Sequence, residues 1–501
     1  MFNHNKVNDS FSIALVLSFK FEKGIGIFKF KMFPFTKNLR EKSMRKRIKR
    51  FFLFHLTVVY VGICSLSFLM LHYTQPSPLI DEVFHIPQAI SYIKGNFTEW
   101  HPKITTLPGL YLSTSAVFNV IAFVVDVPVE SLCQPFYLRL FNLLSSVFTM
   151  HVIYSIVTFD DFSSRKVLKP KKAFWVTFNL SIFPISYFFN HFYYTDTFST
   201  LLVLMMYRQH LLNNFGKAAL LGLCSIMIRQ TNVIWIGYLI IDESFQICQK
   251  MLRKRKDHIL INPMKAFRKL LDEYLLKNYV ANSFKNSRYY LLVCLLFLVF
   301  LYINNGIVIG DKEAHVPVVH LCQIFYFSVF TLIFGFPHFI PSLKDFLNAV
   351  RENKRITLIS LIACLLVIHF NTMVHPYILA DNRHYTFYVW KRIYEKYFLV
   401  KYLLAPLYLF SLYAITSNLD VFKIVQFWIC TFICLVPQKL LELRYFIVPY
   451  YMLRLEINYN NSWCTAVESC WSVLINCATI YIFVHKEFFW PDSPDIQRII
   501  W

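Results

Sequence analysis

Long apolar runs separated by short clusters of charge make up most of the chain. A helix rising 1.5 Å per residue needs about 20 apolar residues to cross a hydrocarbon core about 30 Å thick. Runs of that kind recur from Phe51 to Val484. They predict spans at 51–71, 136–158, 174–192, 197–206, 218–228, 233–241, 290–308, 320–340, 356–374, 400–415, 421–436, 445–455 and 463–484. The expected architecture is therefore an all-α polytopic membrane protein with about thirteen transmembrane helices. Segment 107–125 is apolar enough to span, but a span there would move the basic residues Arg165, Lys166, Lys171 and Lys172 to the far side of the membrane. A helix lying along the interface is predicted instead.

The polar clusters set the orientation. Arg45-Lys46-Arg47 and Lys49-Arg50 stand directly before the first span, and further basic blocks fill 165–172, 250–288 and 344–355. Under the positive-inside rule these are cytosolic, which puts the N-terminus in the cytosol and segment 79–110 on the opposite, luminal side. Residues 1–50 read as a basic cytosolic extension, in part disordered, since their one apolar patch at 11–19 is too short to span. Residues 51–501 read as a single membrane domain, with an amphipathic surface helix near 265–276 in the longest cytosolic loop.

Composition agrees with that picture. The 501 residues are 56% hydrophobic, 18% aromatic and only 16% charged, with mean hydropathy +0.45, too apolar for an ordinary soluble domain. The formal charge of +22 sits in blocks between spans, so it argues for topology rather than nucleic-acid binding. The 12 cysteines are scattered through apolar runs without a CxxC pair, so neither a disulfide framework nor a metal site is expected. Walker, GxGxxG, GxSxG and HExxH patterns are absent from the sequence, leaving nucleotide binding, serine hydrolysis and zinc proteolysis without local support.

Chemistry gathers on the luminal side. Asp81, Glu82 and His85 follow the first span, with Trp100 and a Pro108-Gly109 turn beyond. Acidic residues at a membrane border are costly to keep, which points to a site, the alternative being helix capping. Asp196 and Arg229 lie on the same side, as do Asp381, Arg383, His384, Lys391, Arg392 and Arg444. Positive residues in a luminal loop run against the topological bias, so an anionic ligand is expected there, the alternative being interfacial anchoring. Carboxylates beside cations fit a reaction between a hydroxyl and a phosphate-bearing lipid: the carboxylate takes the proton, and the cations stabilise the departing phosphate. A transporter, a lipid scramblase or a regulatory channel subunit are the alternatives from other classes. The charge, however, lies in loops at one face, and no internal repeat is visible.

The wording of the motifs adds a resemblance. Segments DEVFHIPQ (81–88), ITTLPGLY (104–111), FFNHFYYTD (188–196), RQTN (229–232), ADNRHYTFYVWKR (380–392), PQKLLE (437–442), RYF (444–446) and WPDSPDIQRIIW (490–501) resemble the endoplasmic-reticulum α-1,2-glucosyltransferases. That family uses dolichyl-phosphate glucose to add the last glucose to lipid-linked oligosaccharide. The resemblance implies a class C glycosyltransferase fold and an inverting single displacement without metal or cofactor. It implies dolichyl-phosphate glucose, lipid-linked oligosaccharide and membrane lipid as partners, with no nucleic acid. On that reading Asp81 is the general base, supported by Glu82 or His85. Arg383, His384, Lys391, Arg392 and Arg444 hold the donor phosphate, and Trp100, Asp196, Arg229 and Asp381 contact substrate.

Overall fold

In a computed structural model, the structure describes residues 35–159, 167–254, 273–313, 316–459, 461–491 and 493–501. The chain divides into two compact units, Met1–Ile48 and Lys49–Trp501. Of the first, the described part is helical. The surface helix expected near 265–276 falls mainly outside the described residues.

Helix α1 (Phe35–Thr74) starts well before the expected span at 51–71. Pro76 and Pro78 lie just past its end, where the missing N–H groups and the fixed φ of proline keep a helix from continuing. The chain then turns through Ile80, whose φ of 49° is left-handed, into α2 (Glu82–Ile93) and α3 (Gly109–Val125). These two pack on each other around Ile86, Ala89, Tyr92, Leu110, Tyr111 and Phe118. The other face of α3 is also apolar, with Val120, Phe123 and Val124 exposed. A helix apolar on both faces is suited to apolar surroundings.

Among the described residues, seven helices are long and apolar enough to cross a membrane. They are Ser43–Thr74, Pro135–Val157, Leu276–Asn304, Cys322–Glu352, Lys354–Asn371, Val400–Ser417 and Ser462–His485. Several of the roughly thirteen expected spans are shorter pieces. The run at 174–192 is cut into Pro170–Ser181 and Pro184–Phe189, because Pro184 cannot donate to the preceding turn. Those at 218–228 and 421–436 form Phe215–Ile226 and Val421–Leu435. A helix of 12 residues such as Phe215–Ile226 rises only about 18 Å, less than the core it would have to cross.

The bundle exposes large apolar residues to its surroundings and buries polar ones beside its apolar core. Phe54, Leu66, Leu298 and Ile359 are exposed, whereas Asn142, Asn179, Gln426, Arg454 and Glu468 are buried. Buried charge is paired: Arg454 donates to Glu468 at 2.9 Å, and His338 Nε2 lies 3.0 Å from the same carboxylate. Away from water, charges persist only when paired and hydrogen-bonded in this way. The described strands are β1 (Glu487–Trp490) and β2 (Ser493–Arg498), an antiparallel hairpin after the last helix.

Candidate functional site

Asp81 occupies the N-cap position of α2, yet its side chain makes no capping bond. The carboxylate turns instead to the Arg444 guanidinium, 2.9 Å away. Arg444 comes from a short 3-10 turn, Leu443–Phe446. It also pairs with Glu442, lies 3.6 Å from Asp196 and stacks on Phe189 and Tyr194. One cation thus gathers three carboxylates from parts of the chain that are hundreds of positions apart.

The adjacent acids have opposite environments. The Asp81 side chain is 33% accessible; that of Glu82 is 0% accessible and so is that of Arg139, which grips it. Arg139 donates to both Glu82 oxygens, at 2.9 and 2.6 Å, and to the carbonyls of Gln75 and Ser77 at 2.6 and 2.8 Å. Glu82 further accepts from the main-chain N–H groups of Leu79 and Tyr193. With all its oxygens committed, Glu82 does not reach the cavity. It holds the turn that carries Asp81. The signal was a lone arginine inside the apolar run PFYLRLFNLL, which demands a buried acid.

Asp81 opens onto a cavity of about 580 Å³. His85, Lys103, Arg229, Asp311, Asp381, Arg383, His384, Glu442 and Arg444 line it as well. Of the residues expected in the first loop and at its cationic counterpart, Asp81, His85, Arg383, His384 and Arg444 therefore meet, joined by Lys103 and Glu442, which the sequence reading did not single out. Glu442 is two positions from Arg444, a spacing that could have flagged the pair. The cations are already engaged: Arg383 with Asp381 at 2.7 Å, Lys103 with Asp311 at 3.2 Å, Arg444 with Asp81 and Arg229 with Asp196.

The remaining expected residues stand apart from the cavity wall. Lys391 pairs with Glu395 at 2.9 Å on an exposed turn, and Arg392 lies over the Tyr388 ring. Neither lines the cavity, so contact with a bound phosphate, as expected for them, does not follow from their placement. Trp100 packs edge-on to Tyr92 and Tyr111 and donates to the Ile104 carbonyl, a packing role between α2 and α3. Asp196 is buried behind the wall, orienting Arg229 and Arg444. A second chamber of about 380 Å³ shares Arg229, Arg444 and Tyr445 with the first and is bounded by Trp235, Val308 and Val448.

Electrostatics distinguish the polar groups. Burial raises the Asp81 carboxyl, but the Arg444 charge, followed by His85, outweighs it and holds the group below its ordinary value. For His85, burial dominates; with Arg444 adding to it, the imidazole is pushed below its usual value despite Asp81, so it is neutral at pH 7. Its Nδ1 lies 2.5 Å from the Tyr111 hydroxyl, which fixes the ring. Asp381 is likewise raised by burial and brought below its ordinary value by the hydrogen bonds of Arg383. The arrangement holds ionised carboxylates beside guanidinium groups in a half-enclosed space, which suits proton abstraction next to an anion. Among the described residues, no group of three or more His, Cys, Asp or Glu side chains is placed to hold a metal ion.

Comparison with known proteins fits this geometry. No solved structure matches the chain. A human protein is 40% identical over 85% of this chain and 93% of its own length. A Drosophila melanogaster protein is 36% identical over 84% and 93%, and one from Arabidopsis thaliana is 31% identical over 86% and 96%. Each is named a Dol-P-Glc:Glc(2)Man(9)GlcNAc(2)-PP-Dol alpha-1,2-glucosyltransferase. The DIE2/ALG10 family model matches residues 75–455, a stretch that includes Asp81, the 381–384 turn and Arg444, and the chain belongs to that family.

Proposed function

We propose that this protein transfers glucose from dolichyl-phosphate glucose to a diglucosylated, dolichol-linked oligosaccharide, forming an α-1,2 bond. In this reading it works in the endoplasmic reticulum membrane, with the cavity facing the lumen and the N-terminus in the cytosol. The observation that carries it is the meeting of an accessible, ionised Asp81 with Arg383, His384 and Arg444 around one cavity. The alternatives of a transporter or a channel subunit draw no support from this cavity or from the relatives.

The chemistry runs as a single displacement. Asp81 accepts the proton of the acceptor's 2-hydroxyl, and that oxygen bonds to C1 of glucose. The C1–O bond to phosphate breaks on the opposite face, and its electron pair leaves with the phosphate, inverting C1. Arg383, His384 and Arg444 stabilise the charge growing on the phosphate. Because each arginine already holds a carboxylate, an arriving phosphate binds by exchange. When Arg444 turns to the phosphate, Asp81 loses the partner that keeps it a weak base, so its basicity rises as the donor arrives. The more apolar neighbouring chamber suits the isoprenoid chain of the donor.

The test is direct. The purified protein, given both lipid substrates, adds one hexose to the oligosaccharide, and Asp81→Asn lowers kcat by about 10²–10⁴-fold, the range of a general base. Membrane insertion and elution stay normal, since Asp81 is not part of the buried core. Near-normal turnover by a correctly inserted Asp81→Asn protein would remove the residue from the role.

A further inference from the structure

The segment WPDSPDIQRIIW has no part in the reaction described above, yet it touches the site loop at every residue from Asn382 to Tyr385. After β2 the chain runs beside that loop. The N–H of Ile500 donates to the Arg383 carbonyl at 2.7 Å, and the N–H of Tyr385 donates to the Ile500 carbonyl at 3.1 Å, a parallel bridge between His384 and Ile500. Side chains follow the backbone. His384 Nδ1 lies 2.9 Å from the Trp501 carbonyl oxygen; that oxygen only accepts, so Nδ1 carries the hydrogen. Arg383 donates to Gln497 at 3.2 Å and lies over the Trp490 ring at 4.5 Å. Trp490 Nε1 donates to Asn382 at 2.8 Å, and the Tyr385 and Trp501 rings meet at 4.8 Å.

The hairpin is itself anchored. Arg498, 4% exposed, donates to the Phe483 and Val484 carbonyls at 2.9 and 3.0 Å and to Glu487 at 2.8 Å. It also reaches Gln75 at 3.3 Å. Gln75 belongs to the turn that Arg139 fixes behind Asp81. The segment therefore ties the last long helix, the turn behind Asp81 and the Arg383–His384 loop to one another. Without it, the five residues of Pro376–Ala380 and the five of Tyr385–Val389 would flank a loop with little regular structure to hold it.

We propose that Trp490 and residues 497–501 are a positioning strap that sets the direction of Arg383 and His384 into the cavity. This rests on the reading that those two side chains face the donor phosphate. Ile500 and Gln497 are positioning residues: they act through the loop and touch no reacting atom. A group misplaced by about 1 Å is enough to weaken a preorganised site.

The decisive variant is Ile500→Pro, which removes the N–H given to the Arg383 carbonyl; Ile500→Val keeps it. Hydrogen–deuterium exchange of the 381–388 amides and separate Michaelis constants for donor and acceptor lipid are measured on the full chain in detergent. The strap predicts faster exchange confined to that loop and a donor KM raised roughly tenfold, with acceptor KM, melting temperature and Ile500→Val unchanged. Should Ile500→Pro fail to fold, Gln497→Ala keeps every main-chain bond and shifts donor KM the same way, less far. Unchanged exchange in 381–388 would overturn the strap, whatever the activity. Faster exchange with an unchanged donor KM would overturn its positioning role. Absence of hexose transfer by the unsubstituted protein would instead sink the reaction assigned above, with the exchange experiment still deciding whether the loop is held.

Discussion

Two neighbouring carboxylates do different work here, and their burial explains why. Glu82 is sealed against Arg139, and removing one partner of such a pair leaves the other charge stranded. Glu82→Ala should therefore cost about 3–5 kcal/mol and lower the melting temperature in detergent; an unchanged melting temperature would refute the anchoring role. Asp81 makes the opposite prediction, in pH rather than stability. In the proposed reaction its ionised form is the base, and Arg444 holds it below the ordinary carboxylate value despite burial. Activity is lost only as pH falls through that lowered value, so the acid limb of kcat/KM should lie below the ordinary carboxylate range. In Arg444→Gln the raising effect of burial remains without its main opponent, and the fall in kcat/KM should begin at higher pH. A limb that does not move would separate Arg444 from Asp81. The sequence announced the acidic pair but could not divide it. What divides it is Arg139, from another helix, and a left-handed turn at Ile80, neither of which acidic spacing reveals.

At the level of elements, apolar period gave the helices and missed where they break. The run at 174–192 reads as one span, and only Pro184 hints that its end forms a separate turn carrying Phe189 beneath Arg444. A sequence pattern reports which residues avoid water; it does not report how far an element continues before packing stops it. The contact between α3 and the Arg229 turn is of that hidden kind. The Gly109 N–H donates to the Met227 carbonyl at 2.7 Å, and a Cβ on Gly109 would lie 2.5 Å from that oxygen and 2.6 Å from its carbon. Backbone cannot yield as a side chain can. Gly109→Ala should push α3 away from Met227 and displace Arg229, two residues on, lowering kcat/KM at least tenfold by the usual cost of a misplaced site group. Full activity in that variant would mean the Arg229 turn moves freely with respect to the cavity.

The whole molecule joins parts that the sequence presents separately: a loop after the first helix, a turn near 381, an arginine at 444 and a terminal hairpin. Their convergence is long-range packing, which no local pattern encodes; only the shared side of the membrane was legible, from the basic blocks. That side has its own test. Helix α1 carries Lys49 and Arg50 towards one end and delivers the chain to Asp81 at the other. If the basic end is cytosolic, the loop between α2 and α3 lies in the lumen. Asn96-Phe97-Thr98 is a sequon in that loop, with Phe97 exposed and the Thr98 hydroxyl donating to Asn96 at 3.0 Å. It should carry an N-glycan in cells, so Asn96→Gln should run faster on a gel by one glycan while keeping its activity, because Asn96 lines neither chamber. The converse measurement is a thiol reagent confined to the cytosol. It should leave Asn96→Cys no more labelled than the unsubstituted protein, and labelling above that background would turn the cavity to the wrong face for a luminal oligosaccharide.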